Sequence, residues 1–276
     1  MKMKICKFSL SVFLFASLCR VSFAQEILFK QFTTENGLSN SYVNCVLQDR
    51  TGFIWFGTDD GLNRFDGYEV KVYRNNPDDR FSLSGNTIWA IASDHSGNIL
   101  IGTQSGELNK FDPQTEKFEH WYLDSASTEE INITAVFEDS KSNIWIGTYK
   151  NGLYRFDPSH NKFENWKNSL ENPNVLSSNF ITSIIEDNDS NIWVSTYSGL
   201  DKFKIDGTEK LLTQIISDSQ NPIWYLSKSS FFKNKFLLCA FNGLFLFDLK
   251  DRELTEFTNQ QIMVRTGLKQ VFSHYQ

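Results

Sequence analysis

The chain has 276 residues, and its 27 Lys and Arg residues against 33 Asp and Glu residues give a net charge of −6. An acidic surface repels a phosphate backbone, so this balance argues against nucleic acid as a partner. After the first 24 residues only Cys45 and Cys239 remain, both inside apolar segments. The sequence therefore predicts two buried thiols, with one long-range bridge as the alternative, and no disulfide framework.

The first 24 residues have the pattern of an export signal. Three of the first seven residues are lysines, an apolar run follows from Phe8 to Leu18, and Ser22-Phe23-Ala24 supplies small residues for cleavage. The run is about half as long as the roughly 20 residues that a membrane span needs, so a cleaved signal is favoured over an anchoring helix. We expect cleavage after Ala24, export to the periplasm, and no membrane span in residues 25–276.

One repeated segment dominates the rest of the chain. Ile54-Trp55-Phe56-Gly57-Thr58 returns at residues 99–103, 144–148 and 192–196, and a weaker fifth copy occupies residues 236–240. In the first four copies an Asp stands six residues before the central Trp or Leu. The four Asp residues with their partners are Asp49 and Trp55, Asp94 and Leu100, Asp139 and Trp145, and Asp187 and Trp193.

Each unit contains four short apolar or alternating runs separated by Gly, Asn, Asp and Ser, which is the pattern of four strands, a to d. Successive central residues lie 45, 45 and 48 positions apart. Four short strands in such a period are typical of a propeller blade. We therefore predict an all-β fold, a β-propeller of five four-stranded blades over residues 25–276. The repeated Trp is expected between blades, and the Gly after it should allow close backbone approach.

The sequence leaves the closure of the ring open. Ile27 to Thr33 resembles a strand d without its own blade, and such a strand commonly completes the last blade of a closed propeller. Glu253 to Thr258 resembles the strand d of the fifth unit, but residues 259–276 do not build a sixth. Propellers have about four to eight blades, so both a closed five-bladed ring and an incomplete ring are compatible with this pattern.

The segments Glu35 to Asn40, Gln48 to Thr58 and Asp60 to Gly67 closely resemble the two-component regulator propeller repeat. In that family such repeats build the periplasmic sensor region of hybrid two-component histidine kinases. The resemblance implies that the five units are part of a propeller of about seven blades. It also implies a non-catalytic segment that senses a ligand, here an oligosaccharide, while the kinase lies outside this chain.

The sequence contains no pattern that indicates catalysis, a metal or a cofactor. A Gly-x-Ser-x-Gly elbow is absent, and the four histidines are scattered. Two alternatives to a sensor stay open. One is a propeller scaffold for protein binding, since an incomplete ring exposes an apolar blade face and favours a homodimer or contact with further sensor domains. The other is a propeller glycosidase or lyase, although Arg64 and Arg155 are expected on strand c beside a core Phe.

A binding surface is expected where the loops vary. In a blade the b–c and d–a loops emerge on one face, and here they differ in length and composition, as in residues 75–84 and 168–178. Aromatic and amide side chains suit sugar rings, because they stack on the apolar ring face and hydrogen bond to the hydroxyls. The candidate ligand-binding residues are Asp59, Asp60, Gln104, Tyr149, Lys150, Asn151, Tyr197 and Asn242.

Overall fold

The computed structural model describes residues 31–123, 131–169, 175–204, 210–212, 222–229 and 234–256. The predicted signal, residues 1–24, lies outside the described residues, as does most of the strand expected at Ile27–Thr33. From Thr33 onward the described residues belong to one compact unit. In these ranges no helix is both long enough and apolar enough for a membrane span.

Twenty strands in the described ranges form five four-stranded antiparallel sheets, each made of four strands that follow one another in the chain. Blade 1 contains β1 (Val43–Gln48), β2 (Ile54–Thr58), β3 (Gly61–Phe65) and β4 (Val70–Tyr73). Blade 2 contains β5 (Ile88–Ser93), β6 (Ile99–Thr103), β7 (Glu107–Asp112) and β8 (Lys117–Tyr122). Blade 3 contains β9 (Ile133–Glu138), β10 (Ile144–Thr148), β11 (Leu153–Asp157) and β12 (Lys162–Trp166).

Blade 4 contains β13 (Ile181–Glu186), β14 (Asn191–Thr196), β15 (Gly199–Lys204) and β16 (Lys210–Leu212). Blade 5 contains β17 (Ile223–Lys228), β18 (Lys235–Ala240), β19 (Gly243–Asp248) and β20 (Leu254–Glu256). A short 3-10 helix, Thr34–Asn36, precedes β1. The prediction of an all-β propeller with five four-stranded blades is confirmed. A ring of about seven blades stays a prediction.

The hydrophobic core lies between neighbouring blades. Trp55, Trp145 and Trp193 are almost completely buried, as predicted. The ring of Trp55 lies 5.4 Å from that of Phe111 in the next blade, and the ring of Trp193 lies 5.5 Å from that of Phe236. Four apolar clusters of this kind fill the four spaces between consecutive blades. The period of the sequence thus reflects one core layer per blade.

The constant Asp before each Trp has a direct partner. Oδ2 of Asp49, Asp139 and Asp187 accepts a hydrogen bond from the indole Nε1 of the Trp six residues later, at 2.7, 2.8 and 2.8 Å. The other carboxylate oxygen accepts backbone N–H groups of the turn, as Oδ1 of Asp187 does from Asn191 at 2.8 Å. In blade 2 the central residue is Leu100, which has no N–H, and Oδ2 of Asp94 accepts from the Asn98 amide instead.

The Gly after the central Trp allows the next blade to approach, as predicted. A methyl group at Gly147 would lie 2.5 Å from Cγ2 of Ile181, the first residue of the inner strand of blade 4. At Gly57 it would lie 2.6 Å from Cγ2 of Ile88. Real Cβ atoms do not come so close, so only Gly fits without a shift of the backbone.

The two cysteines of the described residues are free thiols, so the long-range bridge between them does not form. Cys45 and Cys239 are partly buried rather than fully buried. Burial in apolar surroundings raises the pKa of Cys45 to about 12. Its sulfur therefore stays protonated and unreactive at neutral pH.

Candidate functional site

The b–c and d–a loops lie together at one end of the blades, which we call the loop face. Backbone hydrogen bonds join them within each of four blades. In each case a backbone N–H of the b–c loop donates to a backbone carbonyl oxygen just before strand a. The pairs are Gln104 with Thr87 at 3.0 Å, Tyr149 with Asn132 at 3.0 Å, Tyr197 with Phe180 at 2.9 Å, and Phe241 with Pro222 at 3.1 Å. Each b–c loop is thus fixed against the residue that leads into the inner strand of its own blade.

Four aromatic side chains from three consecutive blades meet on the loop face. This aromatic cluster consists of Tyr149, Phe180, Tyr197 and Trp224. The Phe180 ring lies at its centre, 4.7 Å from the Tyr149 ring, 5.8 Å from the Tyr197 ring and 6.2 Å from the Trp224 ring. The rings of Phe180 and Tyr197 are nearly parallel, with 9° between their planes. Two of the predicted residues, Tyr149 and Tyr197, are therefore brought together by a residue that the sequence did not single out.

The outer rings of this cluster remain accessible to solvent. Tyr149 is 43% exposed, Tyr197 is 39% exposed and Trp224 is 45% exposed. Single exposed aromatic residues are common, but several in contact form an apolar patch, which often marks an interaction surface. Contact with Phe180 holds the three rings in place, so they are ordered before a ligand binds.

The cluster borders a central channel between the inner strands β1, β5, β9, β13 and β17. The channel has a volume of about 1060 Å³ and is lined mainly by apolar side chains, with Tyr149, Phe180 and Trp224 among its lining residues. Small polar side chains also reach it. They are Asn44, Ser93, Asn132, Thr134, Thr182 and Ser183. An apolar cavity with a few polar groups is the usual form of a small-molecule site.

Lys150 and Asn151 follow Tyr149 in the same loop but differ in accessibility. The Lys150 ammonium lies 5.2 Å from the centre of the Tyr149 ring, which places a positive charge beside the cluster. Asn151 is buried, with its backbone N–H bonded to Oγ1 of Thr148 and its carbonyl oxygen accepting from the Asn165 amide. Its position in the turn leaves little side-chain surface for a ligand.

The remaining predicted residues lie on the loop face outside the cluster. Asp60 forms an ion pair with Arg74, at 2.9 Å, and Oδ1 of Asp59 accepts from the Asn44 amide at 2.8 Å. Gln104 and Asn242 are exposed in the loops of blades 2 and 5. These four residues come from blades 1, 2 and 5, and the described contacts do not connect them to the aromatic cluster.

The long d–a loops are more ordered than their variable sequences indicate. In blade 1 the backbone N–H of Asn75 donates to Oδ1 of Asn86, at 2.7 Å, and the Asn75 amide donates to the carbonyl oxygen of Leu83. Asn168 and Asn179 repeat the first bond, also at 2.7 Å. Each loop is therefore closed by an Asn pair at its two ends.

A second fixed point follows the buried Leu of these loops. There a Ser backbone N–H donates to a side-chain oxygen on strand c of the blade that follows the loop. The pairs are Ser39 with Asn63 at 2.8 Å, Ser84 with Asn109 at 2.9 Å, and Ser177 with Asp201 at 2.7 Å. The loop face is thus a rigid support for the exposed side chains.

The arginines that were considered for glycosidase chemistry lie away from the channel, on strand c as predicted. Arg155 pairs with Glu164, and its guanidinium lies 5.7 Å from the centre of the Trp145 ring. Arg64 lies 3.5 Å from Glu116. Across the described ranges, no group of three or more His, Cys, Asp or Glu side chains is arranged to hold a metal ion.

Four segments match the family model described as "Two component regulator propeller", at residues 37–60, 82–105, 129–150 and 175–198. Each segment spans the end of a d–a loop, strand a and strand b. A curated relative, histidine kinase P4 of Formosa agariphila, is 46% identical over 77 residues. That match covers 28% of this chain and 6% of the kinase.

Solved structures with the same fold include extracellular domains of two hybrid two-component systems of B. thetaiotaomicron. For BT3049 the TM-score is 0.68 at 24% identity, covering 82% of this chain and 31% of that one. For BT4673 the TM-score is 0.62 at 22% identity, and the match covers 80% of this chain and 28% of that one. Virginiamycin B lyase of Staphylococcus aureus also matches, with a TM-score of 0.63 at 13% identity, covering 81% and 72%. The chain thus spans less than a third of the two extracellular domains, and these structural likenesses show the fold alone.

Proposed function

We propose that this chain, which carries four repeats of the two-component regulator propeller family, is a non-catalytic ligand-sensing segment of a two-component sensor and binds an oligosaccharide in the periplasm. The kinase relative and the sensor domains of similar fold support the signalling role. The export pattern of residues 1–24 supports the periplasm, with cleavage after Ala24.

The aromatic cluster is the observation that carries the proposal. Tyr149, Tyr197 and Trp224 present ordered, partly exposed rings beside a channel of about 1060 Å³. Aromatic rings stack on the apolar face of a sugar, and polar neighbours hydrogen bond to its hydroxyls. Asp59, Asp60, Gln104 and Asn242 lie on the same face, where they would contact the more distant parts of a longer chain.

A scaffold that binds another protein is the competing function, and one observation favours it. Val43 and Val46 on the inner strand of blade 1 are exposed by 37% and 59%. The equivalent of Val46 in blade 4 is Ile184, which is buried. Blade 1 therefore offers an apolar strand surface that a second copy of the chain or another sensor domain would cover.

Titration calorimetry of the purified chain with a panel of oligosaccharides tests the proposal. We expect saturable binding, no turnover, and an affinity that falls about tenfold in Tyr197→Ala. A stacked aromatic ring contributes about 1.4 kcal/mol to the binding free energy, and the loss of that amount raises the dissociation constant tenfold. Tyr68→Ala is the matched control, because Tyr68 is 96% exposed in the c–d turn at the opposite end of blade 1. Hydrolysis or elimination of a glycan would contradict a non-catalytic role. A stable oligomer that binds no glycan would support the scaffold instead.

A further inference from the structure

The second residue of each inner strand lines the mouth of the channel. In three blades this residue ties two blades together. The Asn44 amide donates to the carbonyl oxygen of Ile88 at 3.1 Å, and the Thr134 and Thr182 hydroxyls donate to those of Ile181 and Ile223 at 2.6 and 2.5 Å. The five residues at this position are Asn44, Trp89, Thr134, Thr182 and Trp224.

Trp89 departs from this rule, although blade 2 is followed by another blade. Its indole N–H donates no hydrogen bond to any residue that the structure describes, and its side chain is 46% exposed. It lines the channel, as does Trp224 at the equivalent position of blade 5. Blade 2 thus lacks the inter-blade hydrogen bond that Thr provides in blades 3 and 4.

This arrangement is costly for stability. A hydrogen bond between blades stabilises the fold, and a large ring left in solvent loses the gain from burial. A local rule that is broken without a gain in packing is expected at functional positions. Three of the other indoles, those of Trp55, Trp145 and Trp193, are buried and bonded to Asp. The remaining two, those of Trp121 and Trp166, are partly buried and pack against the apolar clusters between blades. The position of Trp89 is therefore explained by a ligand better than by the fold.

The channel also indicates the charge of its ligand. None of the described residues that line it is charged, and Lys150, which lies beside the Tyr149 ring, is not among the lining residues. Desolvation of an anionic group there would be unfavourable, because no lining side chain offers an ion pair in return. The chain's net charge of −6 acts in the same direction. A neutral ligand fits this surface, whereas a polyanion does not.

Polar groups between the two tryptophans are available to hydroxyls. The Thr134 and Thr182 hydroxyls lie on blades 3 and 4, between Trp89 and Trp224 in the order of the blades, and their lone pairs can still accept. Asn132 also lines this region, and its Oδ1 atom is buried and accepts no hydrogen bond from the described residues. A buried acceptor without a donor is rare, and a ligand hydroxyl would satisfy it once the amide turns toward the channel.

We propose that Trp89 and Trp224 are the two end platforms of one extended site across the mouth of the channel, and that its ligand is a neutral oligosaccharide several rings long. Packed sheets lie about 10 Å apart on average, and the inner strands of these blades approach more closely, so three blade steps span less than about 30 Å. A short sugar contacts the aromatic cluster alone, while a longer one also reaches Trp89. This inference rests on the proposed function and adds the charge and the minimum length of the ligand.

The test compares Trp89→Thr with wild type, using neutral oligosaccharides of two to eight units and acidic ones of equal length. The substitution introduces the side chain that ties blades 3 and 4 to their neighbours. We expect an unchanged or higher unfolding temperature, affinity for the longest neutral chain lowered tenfold or more, and affinity for the disaccharide within twofold. Trp224→Thr should weaken binding of both the long and the short chains, because Trp224 belongs to the aromatic cluster.

Iodide quenching of tryptophan emission provides a second measurement on the unmodified protein. Only exposed indoles are quenched, and a bound long chain should protect both Trp89 and Trp224. A lower unfolding temperature for Trp89→Thr would show a structural role and overturn the inference. If Tyr197→Ala weakens binding but Trp89→Thr binds the long chain with full affinity, the inference is also overturned. Tighter binding of acidic than of neutral chains would overturn it as well. If wild type binds no oligosaccharide, the proposed function itself fails.

Discussion

The a–b turns and the b–c loops lie at opposite ends of the same blades and use their side chains in opposite ways. In the turns, Asp139 and Asp187 bond to the indole of the following strand, so each side chain is satisfied within its own repeat. On the loop face, Tyr149 and Tyr197 come from different blades and leave much of their rings in solvent. Side chains that recur at the same place in several repeats thus maintain the blade, while those that vary between repeats are available to contact a ligand or partner.

The largest difference in the effect of substitutions on stability is expected between a core tryptophan, Trp145, and a tryptophan of the loop face, Trp224. Trp145→Ala removes a fully buried ring of the inter-blade core and should lower the free energy of unfolding by about 3 to 5 kcal/mol. Trp224→Ala removes a ring that is 45% exposed and should cost less than half as much. Urea denaturation followed by circular dichroism measures both. Equal losses would show that the loop face supports the fold as much as the core does.

The carboxylates of the two ends should differ next. Asp187→Asn leaves the indole of Trp193 and the turn amides without the charged acceptor that they share, and we expect a loss of about 1.5 to 3 kcal/mol. Asp59 is exposed and accepts one side-chain bond from Asn44, so Asp59→Asn should change stability by less than about 0.5 kcal/mol. Denaturation at pH 7 compares the two variants directly. A small effect for Asp187→Asn would mean that the turn does not depend on the charge.

The stability of the fold should depend on pH through the same carboxylate, that of Asp187. Burial acts to raise the pKa of Asp187, but hydrogen bonds from Trp193 and Asn191 and the charge of Lys202 outweigh it, so the pKa lies below its usual value. A carboxyl with a lowered pKa contributes its full stabilisation at pH values above its unfolded pKa of about 4, and this contribution is lost as the pH falls through its folded pKa. Between pH 7 and pH 3 wild type should therefore lose more stability than Asp187→Asn. A variant that loses as much would contradict this assignment.

A smaller effect is expected where strand b of blade 3 meets the first residue of β13 in blade 4. Gly147→Ala places a methyl group 2.5 Å from Cγ2 of Ile181, and the blades must shift to relieve this contact. We expect a cost of about 1 to 3 kcal/mol. In blade 4 the corresponding residue is Ser195, whose hydroxyl lies 2.8 Å from that of Thr182, so Ser195→Ala is the matched control and should cost less. Equal stability of Gly147→Ala and wild type would show that the inner strands yield easily.

The blades could be predicted from the sequence because each repeat carries its own core residue, as Trp55 and Trp145 do at a fixed distance from Asp49 and Asp139. The spacing did not reveal the indole hydrogen bond, since the same Asp precedes Leu100. The sequence predicts Tyr149 and Tyr197 on the loop face but does not single out Phe180 and Trp224, the other two rings of the aromatic cluster. These two stand next to or inside strand a, and only the radial stacking of blades brings them to the tyrosines. The varied second position of the inner strands was the signal that could have indicated Trp89 and Trp224.

The order in which inner strands touch has a consequence for how the chain folds and opens. β1 contacts β5, β5 contacts β9, β9 contacts β13 and β13 contacts β17, so these blade contacts join neighbours in the sequence. Such an array behaves as a one-dimensional series in which stability depends on each unit and on its interfaces with adjacent units. Loss of one blade therefore weakens its neighbours first and distant blades least. Among the described blades, blade 3 has two described blades on either side, and its amides should exchange with solvent most slowly.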